Sequence, residues 1–319
     1  MTDADGLAWT RRRFLAGGVA AAAAALAGRS SRARSPADER SAARITKAIP
    51  SSGERLPVIG LGTNAYGVSD PTEYAARKEV LARMPDLGGS VVDTARAYGD
   101  SELVIGRALA ELGNRDRLFL ATKTPIGGEV TDASDLIEAS FRRLAVETID
   151  LVQVHNLHGL EAFMPLLLEL KAAKRIRYVG MSTSRDEQYE RLLDSLARYP
   201  VDFVQVDYSI GNRSAAERVL PFAQDSGLAV LVNMPFGGRR SGNLFPQVRG
   251  RALPDWAAEA DVGSWAQFLL KYVVSHPAVT CAIPGTTKVA HLEDNQAAGH
   301  GRLPDADLRR RMESLWDAL

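Results

Sequence analysis

Leu151-Val152-Gln153-Val154 begins a complete strand–helix–strand unit, which continues through the amphipathic segment Leu160 to Ala173 and ends at Tyr178-Val179-Gly180-Met181. The two short runs are mostly apolar, which is typical of parallel strands buried on both faces. Between them, apolar residues recur at intervals of three and four, which predicts a helix with one buried face. The unit therefore predicts two parallel strands joined by a crossover helix.

Runs of the same kind recur on both sides of this unit, and eight can be counted in all. They are Val58 to Leu61, Ser90 to Val92, Leu118 to Ala121, Leu151 to Val154, Tyr178 to Met181, Phe203 to Val206, Ala229 to Val232 and Thr280 to Ile283. Amphipathic segments separate them, among them Glu102 to Leu112, Ser134 to Leu144 and Ala215 to Asp225. Eight such repeats predict an α/β fold, a parallel (β/α)8 TIM barrel, and the roughly 275 residues from Arg44 onward match the usual size of that fold.

An open, doubly wound sheet is the alternative architecture. Dinucleotide-binding folds of that kind carry a G-x-G-x-x-G turn after the first strand. Here that position reads Gly60-Leu61-Gly62-Thr63-Asn64-Ala65, so the fingerprint is absent. Three further pieces are expected around the barrel: an N-terminal hairpin near Ile45 to Leu56, a long loop from Pro235 to about Val262 that helps shape a site, and an extra C-terminal helix near Asp305 to Leu319.

The first 43 residues differ in composition from the rest of the chain. Thr10-Arg11-Arg12-Arg13-Phe14-Leu15 is followed by the small apolar run Gly17 to Gly28, which ends near Ala25-Leu26-Ala27. This order resembles a bacterial twin-arginine signal peptide with a small-residue cleavage site, followed by a flexible linker. The apolar run is too short for a stable membrane span, which needs about 20 residues. The resemblance implies export to the periplasm through the twin-arginine translocase, with an uncleaved membrane anchor as the alternative.

The composition excludes several classes of function. Lysine plus arginine and aspartate plus glutamate each total 39 of 319 residues, so no bulk positive charge favours nucleic acid as a partner. Cys281 is the single cysteine of the chain, which excludes an intramolecular disulfide framework and a multi-thiolate metal site. His155 and His158 lie three residues apart, but no carboxylate or thiolate cluster accompanies them, so no metal is expected.

Polar residues follow three consecutive strand-like runs, at the barrel end where catalysis occurs in this fold. Asp93 follows the second run, with Tyr98 five residues later, Lys123 follows the third, and His155 follows the fourth. Each residue alone has a structural explanation, such as a capped turn or a satisfied core histidine. Together, an acid, an ammonium and an imidazole on neighbouring strands would bury unpaired charge unless they served one another. The sequence therefore predicts one site that contains all four residues.

In order and in strand position, these four residues resemble the Asp-Tyr-Lys-His tetrad of the aldo-keto reductases. Further short motifs support the resemblance, which covers about residues 45 to 300: Gly60-Leu61-Gly62-Thr63, Tyr98-Gly99-Asp100-Ser101-Glu102, Ile283-Pro284-Gly285-Thr286-Thr287 and His291-Leu292-Glu293-Asp294-Asn295. The resemblance implies an oxidoreductase that reduces an aldehyde or ketone with a nicotinamide cofactor. Tyr98 would donate the proton, Lys123 would lower the pKa of its phenol, Asp93 would hold the lysine, and His155 would hydrogen-bond the substrate oxygen.

The resemblance also implies cofactor-binding positions. Gly62 and Thr63 would follow the first strand. Ser182, Gln205 and Asn233 would line the nicotinamide pocket, although many relatives carry a stacking aromatic residue where this chain has Asn233. Gly237 and Arg239, with their neighbours Gly238 and Arg240, would wrap the pyrophosphate. Thr286, Lys288, His291 and Asn295 would bind the adenosine end. NADP(H) is the first expectation; NAD(H) is the alternative, because two cations common in NADP-specific relatives are replaced by Gly285 and His291.

Two other functions remain open from the residues alone. A nicotinamide-binding regulatory or accessory subunit with little turnover would keep the fold and the cofactor site. A lyase or isomerase would use Lys123 as a Schiff-base nucleophile, which the neighbouring Asp93 disfavours because it keeps the amine protonated. Because the periplasm supplies little free nicotinamide and the twin-arginine route carries folded proteins, export implies that the cofactor is loaded first.

Overall fold

The computed structural model describes residues 43–128, 130 and 132–319. The expected signal peptide and linker, residues 1–43, lie outside the described residues except for Ala43. From Arg44 onward the chain is paired with the rest of the fold, because Arg44 forms a β-bridge with His300 and the Ile45 amide donates to the Gly299 carbonyl at 2.8 Å. Among the described residues, no helix combines the length and apolar character that a bilayer span requires.

Eight parallel strands form one sheet in chain order, which confirms the predicted barrel. After a two-stranded antiparallel hairpin of β1 (Thr46–Ala48) and β2 (Arg55–Pro57), they are β3 (Leu61–Gly62), β4 (Val91–Asp93), β5 (Phe119–Lys123), β6 (Ile149–His155), β7 (Ile176–Ser182), β8 (Phe203–Asp207), β9 (Ala229–Asn233) and β10 (Val279–Ala282). The first and last strands of this sheet, β3 and β10, meet through parallel β-bridges. There Gly60 N donates to Ala282 O at 2.8 Å, and Gly62 N donates to Pro284 O at 3.0 Å. The sheet thus closes on itself.

Helices surround the strands. They are α1 (Pro71–Arg83), α2 (Ser101–Leu112), α3 (Ala133–Leu144), α4 (Leu160–Ala172), α5 (Tyr189–Arg198), α6 (Val219–Asp225), α7 (Phe245–Val248), α8 (Trp265–Val274), α9 (Val289–Ala297) and the extra C-terminal α10 (Ala306–Asp317). Local sequence fixes several beginnings, because Asp70, Asp132, Ser264 and Asp305 each accept a hydrogen bond from a backbone amide in the first turn. The side chain thereby satisfies an amide that has no partner inside the helix.

Two segments differ from the sequence expectation. The predicted helix Ala215 to Asp225 is split into a 3-10 turn, Ser214–Ala216, and α6, which begins two residues before Pro221. Pro221 therefore lies in the first turn of α6, where a proline is tolerated because the amide hydrogen that it lacks would have no partner inside the helix. The long loop Pro235 to Val262 contains α7 and a 3-10 helix, Asp255–Ala260.

The core has an inner and an outer layer because side chains alternate along each strand. Residues such as Val91, Phe119 and Leu151 point into the barrel, where Ile49 and Leu56 of the hairpin pack against them. The residues between them, such as Val92 and Val152, pack outward against the helices. The hairpin therefore covers the end of the barrel at which the strands begin, and the inward side chains at the strand ends remain available for a site.

Candidate active site

The alternation along the strands places polar side chains at the barrel mouth. The last residue of each strand from β4 to β7 and of β9 is polar and faces the same direction as the inner core layer: Asp93, Lys123, His155, Ser182 and Asn233. All five line one cavity of about 480 Å³. The structure therefore brings together the four residues that the sequence predicted as one site, since Tyr98 lines the same cavity.

Asp93 and Lys123 form a buried ion pair, with side chains about 3% and 2% exposed. The Lys123 ammonium also donates to the Thr94 carbonyl at 2.9 Å. Burial alone lowers the pKa of Lys123, but the negative charge of Asp93 and the interaction with the Tyr98 phenol oxygen raise it above its ordinary value. Lys123 is therefore a protonated ammonium, held close to the cavity by a carboxylate.

Tyr98 lies in the loop between β4 and α2, with its ring centre 5.2 Å from Lys123 Nζ. Glu102 follows this loop, at the beginning of α2, and its side chain is fully buried. Its carboxylate accepts hydrogen bonds from Thr122 Oγ1 at 2.8 Å and from Arg143 Nε at 3.2 Å. The same Arg143 donates to the Gly99 carbonyl at 2.6 Å. Glu102 and Arg143 thus hold the loop that carries the Tyr98 phenol beside the ammonium.

His155 is a neutral imidazole in this site. Burial, followed by the positive charge of Lys123, lowers its pKa from 6.5 to about 3. Within the described residues its Nδ1 atom is buried and has no hydrogen-bond partner, while its backbone amide donates to Thr124 Oγ1 at 3.1 Å. A neutral ring can donate a hydrogen bond from one nitrogen without adding a second positive charge beside Lys123.

The large cavity contains most of the predicted cofactor residues of the nicotinamide and pyrophosphate regions: Gly62, Thr63, Ser182, Asn233, Gly237 and Arg239. Gln205 lies just below it, fully buried beside Gln153. Pro235 and Phe236 line the cavity as part of the loop that was expected to shape the site, whereas sequence reasoning missed other lining residues, namely Asn64, Ala97, Ile126, Asn156, Ser184 and Met234. Most of these lie in the loops after the strands, and only their position directly after a strand end could have marked them.

A smaller cavity of about 270 Å³ adjoins the first, and Gly62, Asn64 and Gly285 line both. Thr286, Lys288 and His291 lie in its wall, as the sequence predicts for the adenosine end, whereas Asn295 is buried in α9 and does not line it. Together the two cavities extend from the barrel mouth to the first turn of α9. This shape suits an elongated ligand with distinct groups at its two ends.

The loop between β9 and α7 closes one side of the large cavity. Gly237 has φ of 101°, and a Cβ atom there would lie 1.9 Å from the Gly242 carbonyl oxygen, so the turn requires glycine. Arg240 Nη1 forms an ion pair with Asp186 Oδ2 at 2.8 Å, which joins this loop to the loop after β7. The glycine turn and the ion pair together hold Arg239 in the cavity wall.

The second histidine takes no part in this site. A ring nitrogen of His158 contacts the Gly128 carbonyl oxygen at 3.1 Å. Over residues 43–128, 130 and 132–319, no three histidine, cysteine, aspartate or glutamate side chains are grouped as a metal would require. The acid–base groups that line this mouth include Asp93, Tyr98, Lys123 and His155.

A closed parallel barrel with a charged pair, a phenol and a neutral imidazole at its carboxyl mouth defines a barrel enzyme with acid–base groups. The sequence model of the aldo/keto reductase family matches residues 58–316. The chain therefore belongs to the aldo/keto reductase family and is an oxidoreductase.

Individual relatives agree with this assignment. Methylglyoxal reductase YeaE of Escherichia coli (strain K12) is 31% identical over 268 residues, which cover 82% of this chain and 92% of that protein. The NADP(+) aldo-keto reductase yakc of Schizosaccharomyces pombe is 28% identical over 309 residues, covering 83% and 90%. Among solved structures, an aldo-keto reductase of Klebsiella pneumoniae in complex with NADPH superposes with a TM-score of 0.70 at 26% identity, covering 86% of this chain and 95% of that chain.

Proposed function

We propose that this protein reduces the carbonyl group of a small aldehyde or ketone to an alcohol, with NADPH as the cofactor and Tyr98 as the proton donor. One observation carries the proposal: the protonated Lys123, paired with Asp93, lies 5.2 Å from the centre of the Tyr98 ring at the mouth of the cavity. An ammonium in this position attracts the negative charge that the phenol oxygen acquires as it gives up its proton.

Each of the four residues has a task in this reaction. Negative charge develops on the substrate oxygen as the carbonyl is reduced, and preorganised donors at that oxygen stabilise it. The Tyr98 phenol transfers its proton to this oxygen, and the Lys123 ammonium stabilises the phenolate that remains. Asp93 keeps Lys123 charged and in place. The neutral His155 donates a hydrogen bond to the same oxygen and orients the carbonyl.

The cavity offers groups that fit a nicotinamide. NADPH supplies the hydride when it is bound. Within the described residues, Asn233 lines the cavity and its Oδ1 atom is buried without a hydrogen-bond partner. An unpaired acceptor in the cavity wall matches the amino group of a carboxamide. Ser182, Asn233 and Gln205 would therefore hold the nicotinamide end, and Gly237 and Arg239 the pyrophosphate.

The adenosine end favours NADP(H) over NAD(H). Lys288 and His291 line the smaller cavity, and α9 begins beside them with no side chain capping its first amides. Free amides at a helix beginning and a nearby ammonium bind phosphate groups. Both relatives named above with their cofactor carry NADP(+) or NADPH, which supports the same preference.

The direct test is a fluorescence titration of the purified protein with NADPH and with NADH, followed by a panel of aldehydes and ketones monitored by oxidation of the reduced nicotinamide. We expect turnover and tighter binding of NADPH, and Lys288→Ala should weaken NADPH binding while leaving NADH binding nearly unchanged. Binding without turnover of any carbonyl would favour an accessory subunit instead. Absence of binding would refute the proposal.

We also propose that the protein is exported to the periplasm by the twin-arginine translocase with its cofactor already bound. The support is the order of the arginine cluster Arg11 to Arg13, Phe14 and the apolar run Gly17 to Gly28. Expression of the full chain in a bacterium, with cell fractionation and intact-mass measurement, tests the proposal. Periplasmic cleaved protein that depends on the arginines would support it. Membrane-bound uncleaved protein would indicate an anchor, and cytoplasmic protein would refute export.

A further inference from the structure

Gln153 occupies a position in the barrel interior where an apolar residue is usual. It lies in β6 two residues before His155, so it faces the same direction, and it is fully buried. Its partner in the neighbouring strand is Gly180, where a Cβ atom would lie 3.0 Å from Gln153 Cγ. The glycine therefore leaves the space that the long side chain of Gln153 fills.

The amide of Gln153 is directed at the carboxylate of the ion pair. Its Nε2 atom lies 3.4 Å from Asp93 Oδ1 and 3.3 Å from Gln205 Oε1. A carboxylate only accepts hydrogen bonds, so the nitrogen rather than the oxygen of the amide faces Asp93. Gln153 Oε1 is buried and has no partner among the described residues, an arrangement that costs stability.

The groups around Asp93 explain why a donor is useful there. Lys123 and Cys281 are the titratable side chains that interact with the carboxylate, and Tyr98 and His155 interact in turn with the Lys123 ammonium. Burial raises the pKa of the Asp93 carboxyl above its ordinary value. The Lys123 ammonium and the amides of Gln205 and Gln153 oppose this rise, because each favours the charged form.

From this geometry we infer that Gln153 is a positioning residue: its amide keeps Asp93 ionised and oriented, and Asp93 in turn keeps Lys123 protonated beside Tyr98. The inference rests on the proposed reduction, to which it adds a residue that touches neither the substrate nor the cofactor. The two oxygens of the Asp93 carboxylate have different partners: Oδ1 accepts from the Gln153 amide, and Oδ2 accepts from the Lys123 ammonium.

Two substitutions distinguish this role from a packing role, because they should lower kcat relative to wild type at opposite ends of the pH range. Gln153→Met keeps the length of the side chain but removes the donor, so Asp93 takes up a proton more easily. The acid limb of the kcat profile should therefore move to higher pH, by about one unit. Gln153→Glu can donate to Asp93 only while it is protonated, so its kcat relative to wild type should fall about tenfold or more as pH rises.

The unfolding free energy gives a second readout that needs no turnover. The lost hydrogen bond matters only while Asp93 is ionised, so Gln153→Met should be destabilised most at neutral pH and less at acidic pH. Gln296→Met is the matched control, because Gln296 is also buried but donates to the Ile59 carbonyl at 3.3 Å. Its effect on stability should not vary with pH in this way.

The outcomes distinguish the inference from the proposed function. Opposite pH trends of kcat in the two Gln153 variants support the inference. If Gln153→Met does not fold, the fall of kcat with rising pH in Gln153→Glu decides. Equal losses of kcat in both variants at every pH, with a pH-independent loss of stability, would overturn it. If wild-type protein reduces no carbonyl, the proposed function fails, and the pH dependence of unfolding still decides whether Gln153 keeps Asp93 ionised.

Discussion

The rings of Tyr98 and His155 are perpendicular, with an interplanar angle of 89° and centroids 6.1 Å apart. Both rings line the same cavity, although one belongs to a loop and the other ends a strand. A phenol and a neutral imidazole in this arrangement can both donate to one oxygen atom. In the proposed reaction only the phenol transfers its proton to that oxygen.

Replacing Tyr98 by phenylalanine should lower kcat by about 100- to 10,000-fold, because this change removes the general acid and leaves the shape of the cavity. The dissociation constant of NADPH should stay within about twofold, since the phenol does not hold the cofactor. Steady-state kinetics and a fluorescence titration measure the two quantities. Near-normal kcat in this variant would exclude Tyr98 as the proton donor.

Breaking the buried ion pair from one side should destabilise the barrel. Lys123→Met leaves the Asp93 carboxylate buried without its counter-ion, and such a loss costs about 3–5 kcal/mol. Adding Asp93→Leu should restore much of that stability, because the double variant buries no charge. Urea unfolding of the single and double variants gives the comparison. A double variant as unstable as the sum of the two single ones would contradict a direct pairing.

His155 should make stability depend on pH. The imidazole binds a proton near pH 6.5 when the chain is unfolded but only near pH 3 in the folded site. The unfolded chain therefore takes up more protons between these values, so the stability contributed by His155 is complete above pH 6.5 and is lost as pH falls toward 3.

The variant His155→Gln isolates this effect, because all other titrating groups remain. When both are measured between pH 4 and 8 in about half-unit steps, the unfolding free energy of the wild type should fall relative to that of the variant as the pH falls. A constant difference would mean that His155 titrates alike in both states. The kcat profile of the wild type should likewise show no limb from this imidazole near pH 6.5.

The glycine turn after β9 should control cofactor affinity. Gly237→Ala would bring a methyl group against the Gly242 carbonyl, so the loop that carries Arg239 must move. We expect the dissociation constant of NADPH to rise about tenfold, equivalent to about 1.4 kcal/mol. Gly242→Ala is the control in the same loop: φ is 65° there, but nothing lies within 4 Å of the added atom. Equal effects of the two variants would show that backbone strain alone matters.

The barrel was predictable because its strands are short, mostly apolar runs, and the strands from β4 to β9 each end in a polar residue. The predicted runs agree with the strands to within about two residues in most cases, and three of the four catalytic candidates are the last residues of β4, β5 and β6. The first strand is shorter than predicted, since only Leu61–Gly62 pairs regularly with β4. Ile59, which precedes Leu61 in the predicted run, instead forms an isolated β-bridge with Ala282 of β10.

The site was less predictable where loops form it. Asn64, Asn156 and Phe236 reach the cavity through turns whose shape depends on tertiary contacts, and no periodicity marks them. Gln153 was hidden for a different reason, because one amide inside an apolar run resembles an ordinary core position. The alternation of side chains carries the missing signal, since Gln153 and His155 must point to the same side of β6.

Cys281 lies in β10 with its side chain fully buried in the inner layer of the barrel, and burial raises the pKa of its thiol. No other thiol exists in the chain. A thiol-specific dye can therefore react only after the barrel has opened, and the rate of labelling measures how often that happens. The native sequence thus contains its own single-site reporter of barrel opening, so cofactor binding can be followed as a slowing of dye incorporation without any added label.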